Sequence, residues 1–450
     1  MTQSIRIAIT GGGLAGACLL HALLPFAHLD VHIFESAAEF KEAGMAIGVA
    51  RNALNALDLI GPSAARCLER AGAVSMVGVR FMLAQGKEGV GTMIDETKDE
   101  TTGKRVTSIV HRADFLRELL ADVPQERMHA GKKLNTVDHN SDGSITLRFT
   151  DGTTHECDIL IGADGVRSTV RKLLLGANDF AASPRNTGSW CVMTLKPYAE
   201  AQASIGKENV SIEDAREYMW IGDKSYVLHN VLQQGQLVQF VIASYEKDAE
   251  DSDSWTRTVS AAEIKRLYEA WPPHLYKAVD EVRQFRSLRL WKYNQNLTET
   301  FQLLCNVPEQ HAMYFWEHPP AHTYVSGPVC IMGDAAHATT PWQGSGGGMS
   351  IEDSLILSTL LARAKTPAEG LTALKVYDQV RRPRTQRIVE SSRETGLIVN
   401  GLGEETKLDI GRLRAKLLPR WDFIIEYDIE KYRNEATEMM ERGLRSSREA

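Results

Sequence analysis

The chain lacks any cysteine pair at the spacing of a metal site or redox couple. Its six cysteines, Cys18, Cys67, Cys157, Cys191, Cys305 and Cys330, are scattered with no CxxC. That excludes a disulfide scaffold and a zinc module, predicts no bound metal, and fits reduced, mostly buried thiols in an intracellular protein. Excess positive charge is missing too: 51 Lys+Arg against 58 Asp+Glu leave a formal charge of −7. Nucleic acid is therefore not an expected partner, because phosphate binding needs a basic face. No apolar run approaches the length of a membrane span. The apolar stretch Leu19–Leu24 follows a strand and a glycine turn and has no basic leader, so it does not read as a signal peptide. Repeats and low-complexity tracts are also absent. What these absences leave is a cytoplasmic chain, monomer or homodimer, whose partner is a small molecule.

What is present is ordinary globular composition, 43% hydrophobic and 24% charged over 450 residues, enough for two domains. Near the N-terminus the apolar run Ile5–Thr10 reads as a buried strand, Gly11-Gly12-Gly13-Leu14-Ala15-Gly16 as a turn, and Ala17–Leu24 as a helix. This is the context of a dinucleotide fingerprint. Gly11 permits the tight turn, Gly13 lets the backbone approach a pyrophosphate, and Gly16 lets helix pack on strand, so the helix N-terminus meets the anion. A second apolar strand, Val31–Phe34, ends at Glu35, roughly the 20-residue offset at which an acid binds a ribose hydroxyl.

Strand and helix patterns alternate to about Ala71, with Asn52–Leu57 opening a helix. The polar stretch Glu88–Arg105 reads as a hairpin tip or exposed loop, and His111–Leu120 resumes helical periodicity. Thr146–Cys157 is a predicted hairpin with Asp151-Gly152 as a type I′ signal. From Trp190 to Tyr245 the texture is that of an antiparallel sheet, with strands at Trp190–Leu195, Glu217–Ile221, Tyr226–Leu232 and Leu237–Tyr245. Trp255–Asp280 has helical texture, a strand returns at Val329–Gly333, and long helices are expected over Ser350–Ala364 and Pro367–Asn400. The basic cluster Arg381-Arg382-Pro383-Arg384 with Arg387 reads as a solvated helix face.

Three motifs now stand in order: the Gly11 turn, Asp158–Ser168 containing Asp164-Gly165, and Gly333-Asp334-Ala335-Ala336-His337 followed by Pro341 and Gly344–Gly348. With His111-Arg112-Ala113-Asp114, they give a chain that resembles the single-component FAD-dependent aromatic hydroxylases, most closely the salicylate hydroxylase-like branch. The resemblance implies an α/β fold: a Rossmann-type FAD-binding domain with an inserted antiparallel β-sheet substrate domain, like para-hydroxybenzoate hydroxylase, and C-terminal helices. The expected division is 1–75, 105–177 and 320–370 for the FAD-binding domain, 76–104 and 178–319 for the substrate domain, and 371–450 for the helical region. No second glycine fingerprint is present, which argues against a separate NAD(P)H domain.

The resemblance implies that FAD is held by Gly11, Gly13, Ala15, Gly16, Glu35, Arg112, Asp164, Arg167, Asp334, Gly344, Gly346, Gly347 and Gly348. It also implies that NADH or NADPH reduces the flavin, and that oxygen reaches an electron-rich aromatic ring by way of a flavin C4a-hydroperoxide. Deprotonating a phenol activates such a ring; the candidates for assisting are His229 and Tyr226, with Pro341 beside the flavin. Under strand alternation Tyr226 and Asn230 share one face and His229 takes the other. Met193, Asn230 and Trp342 are the expected pocket residues. Relatives often carry an arginine where this chain has Met193 and a basic residue where it has Gln233-Gln234, so a neutral phenol is favoured over a carboxylate. Salicylate 1-monooxygenase activity, and an FAD oxidase or dehydrogenase that inserts no oxygen, stay open as alternatives.

Overall fold

The computed structural model describes residues 4–41, 46–87, 89–97, 107–284 and 309–449. Its centre is a six-stranded sheet in the order Val325–Ser326, Val329–Ile331, Ile159–Gly162, Ile5–Thr10, Leu29–Phe34 and Met128–His129. All neighbours are parallel except the first pair. Ile7, Ile9, Val31, Ile33, Ile159 and Ile161 are fully buried, as strands covered on both faces require. The helices Leu14–Leu23 and Gly346–Leu361 pack together against this sheet. Beside them, Ala46–Ala50 and Val74–Met76 flank Thr107–His111 in a small antiparallel sheet.

A second layer is an eight-stranded sheet in the order Thr256–Ser260, Glu309–Glu317, Arg185–Pro197, Leu237–Tyr245, Ser225–Leu232, Arg216–Ile221, Gly78–Leu83 and Met93–Glu96. It is antiparallel but for one pair, Gly78–Leu83 running parallel to Arg216–Ile221. Residues opposite one another in register share a face, so the sheet has two distinct sides. One side, with Trp190, Trp220, Val227 and Ile242, buries against the helices Ala261–Tyr268 and Pro273–Gln284. The other, with Phe81, Cys191, Met219, Tyr226 and Ala243, meets Trp342 and the C-terminal helices Ile410–Lys416 and Pro419–Ile425.

Three local expectations are corrected. The helical texture of Trp255–Asp280 begins instead with the edge strand Thr256–Ser260, paired to Glu309–Glu317. Ser260 then caps a new helix by accepting from the Glu263 amide at 3.2 Å, and Pro273 opens the next one. The hairpin between Ile145–Phe149 and Thr154–Cys157 is not type I′. Only Gly152 has positive φ, +84°, and its amide donates to the Phe149 carbonyl at 3.0 Å, which is the geometry of a type I turn followed by a glycine.

The third correction concerns the basic cluster. Arg381 is 0% and Arg384 8% exposed, because both turn inward to the carboxylates of Glu352 and Asp353. The 33-residue helix Pro367–Val399 accommodates Pro383 between them. Part of the polar stretch 88–105 is the strand Met93–Glu96; the rest that can be placed is turn, and residues 88 and 98–105 lie outside the described residues. Cys18, Cys67, Cys157, Cys191 and Cys330 are buried free thiols, and Cys305 lies outside the described residues. Among the described residues no helix is long and apolar enough to cross a membrane.

Candidate functional site

The fold brings the three motifs to one place. A Cβ at Gly11 would lie 2.2 Å from the Ala163 carbonyl oxygen and 2.8 Å from Cα of Asp164, so the first turn rests directly on the second motif. A Cβ at Gly333 would lie 2.7 Å from Cβ of Ala15, so the third motif closes on the start of the first helix. Gly16 has the same tightness internally: its Cβ would fall 2.1 Å from the Gly11 carbonyl oxygen. Gly13 is the N-cap of Leu14–Leu23, in extended conformation with no side chain over the helix amides. A turn stripped of side chains at a helix N-terminus is what a pyrophosphate requires, and these residues fit a dinucleotide.

Glu35 lies at the mouth of that turn. Its Oε2 accepts from the Gly12 amide at 2.6 Å, and its Oε1 accepts from the Ala37 amide at 2.7 Å and from Ser36 Oγ at 3.0 Å. Its carboxylate is thereby fixed one residue from the pyrophosphate position. Arg112 is the first residue of the helix Arg112–Leu120, which follows the strand Thr107–His111. His111 is in register with Ala46, and the neighbouring Ile47 sits 3.2 Å from where a Cβ on Gly347 would be. The strand pairing thus brings the start of the helix Arg112–Leu120 next to the strand that touches the glycine loop.

Asp164 is engaged within the protein. Its carboxylate accepts from Ser168 Oγ, from the Thr169 amide at 2.7 Å and from the Val170 amide at 3.1 Å, holding the N-terminus of Thr169–Leu175. Arg167 is exposed and lays its guanidinium 3.9 Å from the centre of the Trp255 ring, which in turn stacks on Trp316 at 4.2 Å.

Asp334 follows Gly333, whose φ of +57° makes the sharp exit from the strand, and its side chain is exposed. The turn is anchored from behind. Asp353 Oδ2 accepts from the Gly333 amide at 2.9 Å and pairs with His337 Nε2 at 2.6 Å. Arg171, fully buried, donates to the carbonyls of Ala181, Ala335, Ala336 and Pro319, and burial lowers it to about 10.

Next comes the glycine loop. Pro341 and Gly344 are exposed, Gly346 and Gly347 half-exposed, and Gly346 starts a 16-residue helix. Backbone amides at that N-terminus suit the electron-rich end of a flat ring. Trp342 points the other way and is 4% exposed, lying edge-on to Tyr226 at 5.4 Å and to Phe315 at 5.3 Å. Its Nε1 would be 2.4 Å from a Cβ on Gly396, so the long helix leaves room for the indole only through that glycine.

The structure brings Tyr226, Met193 and Asn230 together on the sheet face that meets Trp342, and His229 elsewhere. Tyr226 has no hydrogen bond to its hydroxyl among the described residues, and burial, then the nearby Glu217, raise its phenol well above the usual range. It is a donor here, not a base. Asn230 is 1% exposed and its Oδ1 accepts from Gln239 Nε2 at 3.3 Å. Met193, Leu228 and Val241, adjacent in register, are only half-buried in the middle of an otherwise closed face, which marks open space above them. His229 lies on the opposite side, stacked on Tyr218 at 4.8 Å and accepting from Trp220 Nε1 at 3.1 Å. Burial, then His274, lowers it to about 3.

Sequence reasoning missed three contributors. Arg171 read as an ordinary helix residue. Gln233, at φ +46°, reaches across to donate to Asp114 Oδ2 at 3.3 Å, tying the sheet's hairpin to the helix that Arg112 begins. Glu217 is the third; strand alternation, which put it in phase with Met219 and Ile221, was the available signal.

Residues 4–303 and 294–392 match the family described as FAD binding domain. The chain belongs to that family. Its relatives include 6-methylsalicylate 1-monooxygenase of Aspergillus terreus, 34% identical over 447 residues, covering 97% of this chain and 93% of the relative. The salicylate hydroxylase of Pseudomonas putida is 28% identical over 438 residues, covering 95% and 93%. Among solved structures, a salicylate hydroxylase substrate complex superposes with a TM-score of 0.79 at 23% identity, covering 97% of this chain and 98% of that one. That likeness shows the fold. As a member of this family the chain is an FAD-dependent monooxygenase.

Proposed function

We propose that this monooxygenase hydroxylates an uncharged phenol, held between the face carrying Tyr226 and the loop Pro341–Gly348. The observation that carries this reading is the edge contact of Tyr226 with Trp342 at 5.4 Å, which joins the sheet face to the glycine loop. Above Met193, Leu228 and Val241 the floor is apolar, and the residues in register with them on the neighbouring strands include no arginine or lysine. A buried carboxylate substrate would lack a counter-charge from the sheet.

Bound FAD, reduced by NADH or NADPH, supplies the activation of dioxygen. The chain's residues do the rest: Tyr226 donates to the substrate oxygen, the apolar floor excludes water, and Trp342 limits the ring's position. Pro341 shapes the loop beside the flavin, and His229 serves packing. Arg112 and Asp334 hold the ribityl and phosphate side, Glu35 the adenosine ribose. Asp164 acts through the helix it caps, and Arg167 at the surface above. The parts divide at 1–75, 105–177 and 320–370 for flavin, 76–104 and 178–319 for substrate, and 371–450 for the helical cover.

Oxidation of NADH and NADPH by the FAD-loaded protein is the test, run with phenol, resorcinol, 2,4-dihydroxybenzaldehyde and salicylate while products are followed by mass. Incorporation of one oxygen from labelled dioxygen is expected with an uncharged phenol; stoichiometric hydrogen peroxide with all of them would refute the reading. Identity to the 6-methylsalicylate enzyme favours a second reading, decarboxylative hydroxylation of a salicylate, which loss of carbon dioxide from salicylate would establish. Tyr226→Phe should leave flavin content unchanged and lower kcat/KM by about 10- to 100-fold, the effect of one hydrogen bond to a charged oxygen. Unaltered kcat/KM would remove Tyr226 from the site.

A further inference from the structure

Every carboxylate buried near the flavin cradle has a partner. Glu352 is shared by Arg381, Arg384 and Asn52, and Asp353 by Arg381, His337 and the Gly333 amide. Glu317 is held by Arg185 and Arg393. Glu217, half-buried on the sheet, is different. It lies on the strand Arg216–Ile221, in phase with Met219 and Ile221, and its register partner on the next strand is Val79. Tyr218 pairs with His229, so on the other side the register continues from Glu217 towards Asn230. Its carboxyl has no hydrogen bond or ion pair among the described residues. Burial pushes it up to about 7.

An ionisable side chain turned into an apolar face without a partner is destabilising unless a ligand supplies the partner. The surroundings say what that ligand must offer. Asn230 and Gln239 lie side by side in register, and the Gln239 Oε1 is buried with no hydrogen bond among the described residues. Tyr226, close enough for its phenol to be affected by Glu217, stands four residues further along in register, opposite Ile221. Half-buried Leu228 and Val241 lie between. The space therefore has an apolar floor with a phenol donor at one end and a carboxyl with amides at the other.

We propose that Glu217 is a catalytic residue of this enzyme, the acceptor that binds the hydroxyl of the substrate ring and takes its proton. The inference rests on the phenolic reading above and deepens it. In the step, the phenol O–H bond breaks and an O–H bond forms on a Glu217 carboxyl oxygen; the electron pair stays on the substrate oxygen and nothing is oxidised. The phenolate left behind is the electron-rich ring that the reaction needs, and the Tyr226 hydroxyl at the other end can donate to a different oxygen of the substrate. Glu217 returns its proton to solvent or product.

Other ionisable groups around that face are few and identifiable. Tyr226 and Cys191 share it, both raised by burial, Cys191 to about 12. Asp95 lies opposite Phe81 on the edge strand. From the covering helices, Arg414 donates to the Ile94 carbonyl at 2.7 Å. From the flavin side, His111 is paired with Asp114 at 3.2 Å.

The test compares wild type with Glu217→Gln, both FAD-loaded, using whichever phenol of the panel wild type hydroxylates fastest. For wild type kcat/KM should rise with pH through about 7 as the acceptor ionises, and level off above. In Glu217→Gln that limb should vanish and the hydroxylation rate fall by about 100- to 10,000-fold, the usual range for loss of an acid or base. The second readout needs no substrate. A carboxyl raised on folding binds more protons in the native state between its unfolded and folded pKa, so native stability falls as pH rises through that window. Glu217→Gln should therefore melt above wild type at pH 8 and lose that advantage by pH 5. An unchanged pH limb and rate, or a variant that melts lower at pH 8, overturns the proposal while leaving the phenolic reading intact. If wild type hydroxylates no phenol at all, the functional reading falls and this one with it.

Discussion

Replacing Arg381 with methionine is expected to cost about 3–5 kcal/mol of stability, the largest single effect predicted for this chain, because it takes a shared guanidinium away from two buried carboxylates. Arg381 Nε donates to Asp353 Oδ1 at 2.7 Å and its Nη2 donates to the Met349 carbonyl at 3.0 Å, while Nη1 binds Glu352. Arg384 would keep its two 2.8 Å contacts to Glu352, so Asp353 is the more exposed loser. Asp353 also fixes the Gly333 amide, which places Asp334, so flavin affinity should fall together with stability. Denaturant unfolding and flavin retention check this; a variant within about 1 kcal/mol of wild type would show that the network is dispensable.

The same network predicts acid sensitivity with a definite sign. Burial alone would raise Glu352, but Arg384 and Arg381 outweigh it and hold it at about 2. Asp353 is likewise held below the usual carboxylate range, His337 and Arg381 outweighing burial. A carboxylate depressed on folding contributes stability that is complete above its unfolded pKa and is lost as pH falls towards the folded one. Wild type should lose this contribution between about pH 4.5 and pH 2. Glu217 acts in the opposite direction over its own window, so the two effects are separable by pH.

Gly11→Val should abolish flavin binding. Gly11 has φ +106°, costly for a side chain, and its Cβ would lie 2.2 Å from a backbone oxygen of the second motif. Strain of about 1–3 kcal/mol together with displacement of Ala163 and Asp164 predicts a loss of affinity on the order of 100-fold or more. The purified variant should lack the visible absorbance of bound flavin, and Gly11→Ala should be nearly as damaging because the first atom already collides. Full flavin occupancy in either variant would mean that the turn does not carry the pyrophosphate.

Much of this protein follows from local sequence. The strand Ile5–Thr10, the glycine turn, Glu35 and the strands Ser225–Leu232 and Leu237–Tyr245 were legible because period-2 alternation and glycine punctuation are properties of neighbours along the chain. The face assignment of Tyr226 against His229 follows from the same alternation. Local pattern misled where composition fits two states. Trp255–Asp280 has helical texture throughout, but pairing with Glu309–Glu317 makes its start a strand. Asp151-Gly152 carries a hairpin signal that does not distinguish one turn type from another.

The partners of charged groups were decided only by the tertiary structure. Arg381 and Arg384 look like a solvated cluster, since Glu352 and Asp353, which draw them inward, are about thirty residues away on another helix. Glu217 looks like one more strand acid until the fold shows no partner for it among the described residues. Whether a charge is buried, and against what, is a property of elements distant in sequence. Desolvation and pairing energies depend on that arrangement, so sequence located the glycine turn while the fold singled out the carboxyl opposite Val79.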